Sequence, residues 1–141
     1  MIRVVIDTDV LLSAFMSPIG ASRQLVLDAL DGKFDLLLST ALLVEYESVL
    51  RRPIHLQRAR AAESDVTEIL DALAGICLPV VSDFIWRPTG ADADDELVVG
   101  TAINGHADVI ATFNLKDMRR AGARFGFQTQ RPGPLVKRMR Q

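Results

Sequence analysis

The chain has 141 residues, of which 49% are hydrophobic, and its 16 basic and 18 acidic residues give a net charge of −2. This apolar content is enough for a core and excludes a disordered chain, while the charge balance does not by itself mark a nucleic-acid binder. No run of about 18 apolar residues predicts a membrane span, MIRVVID does not resemble a signal peptide, and the single cysteine, Cys77, favours a cytoplasmic protein.

Four short apolar segments predict buried strands, and five other segments predict helices. In chain order, the strands cover residues 2–6, 34–39, 76–81 and 108–113. The helices cover residues 19–31, 40–51, 64–74, 96–104 and 116–121. Ser39 or Thr40 is expected to cap the second helix, and Gly32 and Gly105 are expected to stop the first and the fourth. Pro79 places the third strand near an edge of its sheet.

The order of these elements predicts the fold class. Strands alternate with helices, which indicates a central, mostly parallel sheet flanked by helices in a three-layer α/β sandwich. The strands are continuously apolar, as expected when both faces of the sheet are covered. Ligand sites in such folds lie at the carboxyl ends of the strands, so the polar residues at those ends are the candidates for chemistry.

Acidic and amide side chains follow two of the predicted strands. Asp7 and Asp9 come directly after the first strand, and Asn114 and Asp117 follow the fourth. Three further acids precede the helix that starts near residue 96; they are Asp92, Asp94 and Asp95. Each of these residues could also be a simple helix cap or loop residue, so only their combination indicates a site.

A second source of carboxylates is the helix over residues 40–51. Glu45 and Glu47 flank opposite edges of its apolar stripe, and helix geometry alone does not choose between them. Carboxylates brought together repel one another unless a cation compensates their charge. Carboxylate and amide oxygens suit Mg²⁺ or Mn²⁺, whereas one cysteine and the two isolated histidines, His55 and His106, do not suit zinc. Phosphoester hydrolysis is the natural chemistry of such a site.

At this point the residues resemble those of the PIN-domain family. VVIDTDVLLSA is similar to the family's opening motif, EYESVL to its second, and DADDELVVGTAINGHADVIATFNLKDM to its third and fourth. The motifs occur in the family's order and cover roughly residues 2–120. The resemblance implies one PIN-like domain over residues 1–141, in which residues 131–141 form a basic tail that could be flexible.

The resemblance also implies a function. Members of the family are typically Mg²⁺- or Mn²⁺-dependent ribonucleases, and many small VapC-like members are toxins of bacterial toxin–antitoxin pairs. Such toxins usually form homodimers and are silenced by a cognate antitoxin. A metal-dependent ribonuclease acting on RNA, with an antitoxin as its protein partner, is therefore the expected function.

The site residues implied by the resemblance follow from the matching motifs. Asp7 matches the first acid, Glu45 rather than Glu47 the second, and Asp95 the third, with Asp94 and Asp92 as alternatives. Asn114 stands where many members have a fourth acid, so the amide brings an oxygen but no charge. Asp9 stands where asparagine is usual and could offset that loss.

Other residues are expected to contact the substrate. Thr8 and Thr112 could orient water or phosphate through their hydroxyls, although backbone capping explains them equally well. Arg51 and Arg52 belong to one of two arginine groups that could bind the RNA backbone; the other covers residues 119–124. Trp86 could stack on a base or contact an antitoxin, although packing within its loop is favoured.

Two other interpretations remain open. VVIDTDV also fits the opening of a haloacid-dehalogenase-like phosphatase, in which Asp7 would be the nucleophile and Asp9 the acid–base, but the later motifs of that class are missing. The asparagine at position 114 alternatively indicates a catalytically inactive domain that binds RNA or a partner protein without cleavage.

Overall fold

The computed structural model describes residues 1–81 and 93–140, without the side chains of residues 93 and 94. The interpretations of Trp86, of Asp92 and of the Asp94 side chain therefore lie outside the described residues. The strands in the described part are β1 (Arg3–Ile6), β2 (Asp35–Leu38), β3 (Leu78–Pro79), β4 (Val109–Ala111) and β5 (Gln128–Gln130). The helices there are α1 (Thr8–Met16), α2 (Ala21–Leu30), α3 (Thr40–Leu50), α4 (Pro53–Ala59), α5 (Glu63–Ile76), α6 (Ala93–Asn104), α7 (Leu115–Phe125) and α8 (Pro132–Met139).

The strands form one sheet in the order β3-β2-β1-β4-β5, and all of the pairs are parallel. In the central pair, Val4 is in register with Val109, and Ile6 with Ala111. The predicted three-layer α/β fold is confirmed. Because β1 and β4 end at the same level, the residues that follow them are brought side by side.

The core shows why these segments are strands. Successive side chains of a strand point to opposite faces of the sheet. Val4, Val5 and Ile6 are nevertheless all buried, as are Val109 and Ile110 of β4. Both faces of the central sheet are therefore covered, and each such side chain contributes about 1.5–3 kcal/mol of hydrophobic stabilisation.

The predicted elements occur with bounds shifted by a few residues. Ser39 caps α3 by accepting the N–H of Leu42 at 3.2 Å, and Pro79 lies in the edge strand β3, as predicted. Four elements were not predicted, namely α1, α4, β5 and α8. The first of these starts directly after Asp7, so a segment interpreted only as a chemical motif is also the start of a helix.

The C-terminal segment differs from the expected basic tail. Residues 132–139 form α8, and Pro132, Leu135 and Val136 are buried. Pro132 occupies the first turn of the helix, where its missing N–H costs nothing. Arg140, just beyond α8, contacts the buried Asp28 of α2 at 3.5 Å. The three buried apolar residues thus pack α8 against the rest of the protein, although the segment is rich in basic residues.

The helices were also compared with the dimensions of a membrane span. In residues 1–81 and 93–140, no single helix is long and apolar enough to cross a membrane. Only α1 and α2 taken together have the necessary length and composition, and they are bent by 102°. Both bury apolar side chains in the core, among them Leu11 and Leu25.

Candidate active site

Asp7 connects the sheet to the first helix. It follows β1 and caps α1, because its Oδ1 accepts the N–H of Thr8 at 2.7 Å. Its Oδ2 accepts the hydroxyl of Thr112, the residue that follows β4, also at 2.7 Å. Asp7 is only 6% exposed, and none of the described basic side chains forms an ion pair with it. A buried carboxylate therefore lies at the carboxyl ends of the two central strands, and no Lys or Arg side chain of the described residues compensates its charge.

Asp9 brings a second carboxylate to the same edge of the sheet. Its Oδ2 accepts the N–H of Phe113 at 3.2 Å. Its Oδ1 is buried and has no hydrogen-bond donor among the described residues. A carboxylate oxygen removed from water without a donor is costly, so this atom is a natural place for a cation to bind.

Asn114 links the third acid to this group. Its backbone N–H donates to Oγ1 of Thr112 at 2.9 Å. Its side-chain Nδ2 donates to Oδ2 of Asp95 and to Oδ2 of Asp117, both at 3.2 Å. A continuous chain of hydrogen bonds therefore connects Asp7 with Asp95, which are far apart in the sequence.

The electrostatics reflect this crowding of carboxylates. Burial raises the pKa of Asp7 to about 6, and the charge of Asp9 contributes to the increase, although the hydrogen bonds from Thr112 and Thr8 oppose it. Burial also raises the pKa of Asp9, and the charge of Asp95 raises it further. Ionising both side chains therefore brings like charges together in a largely buried site, and a bound cation would compensate them.

Tyr46 of α3 contacts the end of β1 next to these acids. Its hydroxyl is buried and donates a hydrogen bond to the carbonyl of Ile6, the residue before Asp7. Burial raises the pKa of this phenol, and the nearby charge of Asp7 adds to the effect. Tyr46 was not recognised in the sequence, where it is an ordinary buried position next to Glu45.

Most of the predicted site residues belong to one hydrogen-bond network, but Glu45 does not. Asp7, Asp95, Asn114 and Thr112 belong to the network described above, and Thr8 contributes its backbone N–H to it. Glu45 is half-buried on α3 beside Tyr46, and no hydrogen bond or ion pair joins it to another described residue. Its approach to the other acids remains a prediction.

The two arginines proposed to bind substrate also differ. Arg51 donates to the carbonyl of Glu63 at 3.1 Å and to the hydroxyl of Thr67 at 2.8 Å, and it lies 3.4 Å from Glu47. It therefore fastens α3 to α5. Arg52 is exposed, and its side chain forms no bond with any part of the chain that the structure describes.

A divalent ion fits the chemistry of this donor set. In the described ranges, no three His, Cys, Asp or Glu side chains are close enough to share an ion. Asp7 and Asp9, two neighbouring carboxylates with raised pKa, would be stabilised by positive charge, and so would the buried Oδ1 of Asp9. This pair would hold the ion, since carboxylate oxygens suit a hard cation, and the approach of Asp95 to the same ion stays a prediction.

The comparison with protein families agrees with the fold. A family model described as PIN domain matches residues 3–116, which is most of the chain. Proteins of this family are generally nucleases that use divalent metal ions, and the match does not favour the haloacid-dehalogenase-like interpretation of Asp7 and Asp9. A search of curated proteins gives no match. The chain belongs to the PIN-domain family.

Proposed function

We propose that the protein is a Mg²⁺- or Mn²⁺-dependent endoribonuclease that hydrolyses phosphodiester bonds of RNA. The observation that carries this proposal is the pairing of two carboxylates, Asp7 and Asp9, whose pKa values are both raised at the carboxyl ends of β1 and β4. A bound cation would compensate the like charges of such a pair, and a cation beside carboxylates is suited to phosphate chemistry.

The proposed ligands of the ion are Asp7, Glu45 and Asp95, with Asp9 as an additional donor. When bound, a divalent ion supplies positive charge that polarises the phosphate and lowers the pKa of water. The chain itself orients the ligands. Thr112 fixes one oxygen of Asp7, and the N–H of Phe113 fixes one oxygen of Asp9. The carboxylates are thus held in place before substrate arrives, so little reorganisation is needed during the reaction.

Asn114 has a positioning role in this proposal. Its Nδ2 donates to Asp95 and Asp117 together, so a neutral amide separates two carboxylates that would otherwise repel each other. Its Oδ1 remains as a neutral oxygen that can face the ion or water. Glu45 is assigned as the base that takes a proton from the attacking water. The water oxygen bonds to phosphorus, one P–O ester bond breaks, and the leaving oxygen is protonated.

The substrate is proposed to be single-stranded or looped RNA, where bases are accessible. Arg52 and the arginines of residues 119–124 would contact its phosphates, and Thr8 and Thr112 lie next to the carboxylates. Arg51 is the weaker candidate because its guanidinium already binds Thr67 and the carbonyl of Glu63.

We further propose that the protein is the toxin of a type II toxin–antitoxin pair, acting in the cytoplasm as a homodimer and inhibited by a cognate antitoxin. The support for this role is the likeness of its motifs to those of VapC-like toxins. Controlled expression tests it, because growth should stop with wild-type protein and continue with Asp7→Ala. Co-expression of a small protein encoded next to the gene should restore growth.

The enzymatic proposal is tested with purified protein free of any antitoxin. Cleavage of single-stranded RNA is measured with Mg²⁺, with Mn²⁺ and with EDTA, for the wild type and for Asp7→Ala. Cleavage should require a metal and should be lost in the variant. Cleavage that persists in EDTA, or that is equal in Asp7→Ala, would show that a contaminant or another mechanism is responsible.

A second candidate function is RNA or partner binding without catalysis. The specific observation in its favour is Asn114, whose amide satisfies Asp95 and Asp117 without any ion. Calorimetric titration with Mg²⁺ and Mn²⁺ separates the two candidates. Absence of binding at millimolar metal, together with intact RNA binding, would favour the inactive domain.

A further inference from the structure

A cavity of about 330 Å³ lies next to the carboxylates, between the end of α1, the start of α2, Phe113 and the start of α8. This volume is at the small end of the range for ligand pockets, roughly 300–1,000 Å³. Its walls are largely apolar and include Phe113, Ile19 and Pro134. The cavity therefore suits a flat organic group better than a hydrated ion.

Phe113 joins the cavity directly to the candidate active site. Its backbone N–H donates to Asp9, while its side chain lines the cavity and is 44% exposed. On α1, Ser13 follows Asp9 by one helical turn and also lines the cavity. That turn advances by about 6 Å along the helix axis. A strand of nucleic acid covers about 3.4 Å per nucleotide when stacked, so the cavity lies one or two nucleotides from the carboxylates.

The side chain of Ser22 lines the cavity and forms no hydrogen bond that would stabilise the described part of the fold. Ser22 is only 5% exposed, lines the cavity, and forms no side-chain hydrogen bond with any described residue. Its hydroxyl oxygen is not one of the buried polar atoms that lack a partner, so it is reached from the open cavity. Ser22 is therefore available to a polar group of a ligand in this cavity.

The mouth of the cavity carries a positive charge. Arg131 lines it, is exposed, and makes no ion pair with the residues in the described ranges. The cavity lining contains no carboxylate in the described part of the chain. The start of α2, at Gly20 and Ala21, also lines the cavity without a side-chain cap or an acid in its first turn. Both features favour an anionic group at the mouth.

We infer that this cavity binds one nucleotide of the RNA substrate beside the scissile phosphate, with its base against Phe113 and its phosphate at Arg131. Ser22 hydrogen-bonds to the base or the ribose inside. The inference rests on the proposed function and extends it, because the cavity would select which nucleotide flanks the cleaved bond. Stacking on an aromatic ring gives affinity, while the hydroxyl and the shape of the walls distinguish one base from another.

The test measures binding separately from cleavage. Fluorescein-labelled hexamers of adenosine, cytidine and uridine are titrated with full-length Asp7→Asn protein and Mg²⁺, so that the RNA stays intact, and anisotropy gives the dissociation constants. Phe113→Ala should weaken binding about tenfold, to a different extent for each base, and Phe113→Trp should restore it. Arg131→Ala should reduce the slope of log affinity against log salt by about one.

A filling variant provides an independent check. Gly133 lines the cavity, and a Cβ at this position would meet only Ala21, at an ordinary distance of 3.9 Å. Gly133→Leu can therefore extend into the cavity, and it should weaken binding as Phe113→Ala does. Ser22→Ala should make the dissociation constants of the three hexamers more alike. Thermal melting of each variant shows whether it is folded.

Matched controls remove similar groups elsewhere. Leu27→Ala takes away an exposed apolar side chain of α2, and Lys137→Ala takes away a charge of α8, and neither residue lines the cavity. Both should bind all hexamers within twofold of the parent. The inference is overturned if the folded cavity variants also bind all hexamers within twofold of the parent. It is likewise overturned if the parent binds no RNA.

The outcomes for the cavity and for the proposed function can be told apart. Metal-dependent cleavage by the wild type, combined with normal RNA binding by the cavity variants, contradicts the inference alone. Cavity-dependent RNA binding without cleavage by the wild type under any metal contradicts the proposed catalysis and leaves the cavity as a nucleotide site.

Discussion

The hydroxyl of Thr112, which is fully buried, donates a 2.7 Å hydrogen bond to Oδ2 of Asp7, 105 residues earlier in the chain. The same oxygen of Thr112 accepts the backbone N–H of Asn114. Thr112 thus connects the ends of β1 and β4 and sets the orientation of the most deeply buried acid. Its role is to position a carboxylate, and it can be tested without reference to substrate.

Thr112→Val removes this hydroxyl while preserving the shape of the side chain. Asp7 then loses a hydrogen bond that lowers its pKa, and the N–H of Asn114 loses its acceptor. We expect a loss of about 1–2 kcal/mol in the free energy of unfolding and weaker Mn²⁺ binding. Urea denaturation and calorimetry measure the two effects. Thr112→Ser should restore both, and a valine variant equal to wild type in both would refute the positioning role.

The raised pKa of Asp7 has a consequence for stability. In the unfolded chain the group titrates near 3.8, and in the folded protein near 6. Between these values the folded state retains a proton that the unfolded state has lost, so the contribution of Asp7 to stability falls as pH rises and levels off above about pH 6. The full penalty is about 3 kcal/mol.

Asp7→Asn removes this penalty and keeps a good helix cap. The metal-free variant should therefore be more stable than the wild type at pH 7.5, by about 1–3 kcal/mol, and the difference should vanish near pH 4. Asp28→Asn is the matched control, because Asp28 is also buried but has Lys33 and Arg140 as cationic partners. It should destabilise the protein at pH 7.5. Stabilisation by both changes, or by neither, would contradict this account.

Asn114→Asp places a third negative charge against Asp95 and Asp117 in place of an amide donor. Without metal, this variant should melt at a lower temperature than wild type, because like charges face each other. With Mn²⁺ the melting temperature of this variant should return to that of the wild type, and the variant should bind the ion more tightly than the wild type does. Asn114→Ala removes the donor without adding charge, so Mn²⁺ should not rescue it. Equal rescue of both variants would mean that residue 114 does not influence the ion.

The fold was predictable because its signals are local. Apolar runs such as the one ending at Ile6 predict strands, and their alternation with helices predicts a parallel sheet. The parallel topology then predicts that the polar residues after the strands lie together at the carboxyl edge of the sheet. The hydrogen bond between Asn114 and Asp95 could not be predicted, because it depends on how α6 packs beside β4. Helix α1 was missed because Asp7 was interpreted as a chemical group and its capping role was not considered.

The importance of Asp9 was underestimated for a related reason. In the sequence it is only a neighbour of Asp7 at a position where asparagine is usual in the family. The structure adds that its Oδ2 is bound by Phe113 and that its Oδ1 is buried without a donor among the described residues. Neither fact has a local signal, since both depend on the loop after β4.

Arg51 and Arg52 provide a last test, because two adjacent arginines have different surroundings. Arg51 fastens α3 to α5 through Thr67 and the carbonyl of Glu63, so Arg51→Ala should lower the free energy of unfolding by about 1 kcal/mol. Arg52 has no such contacts, so Arg52→Ala should leave stability unchanged, weaken RNA binding and reduce its salt dependence. Denaturation and anisotropy measured on both variants decide the matter. If Arg51→Ala alone reduces the salt dependence while stability is unaffected, the structural role assigned to Arg51 is wrong and its guanidinium is the phosphate contact.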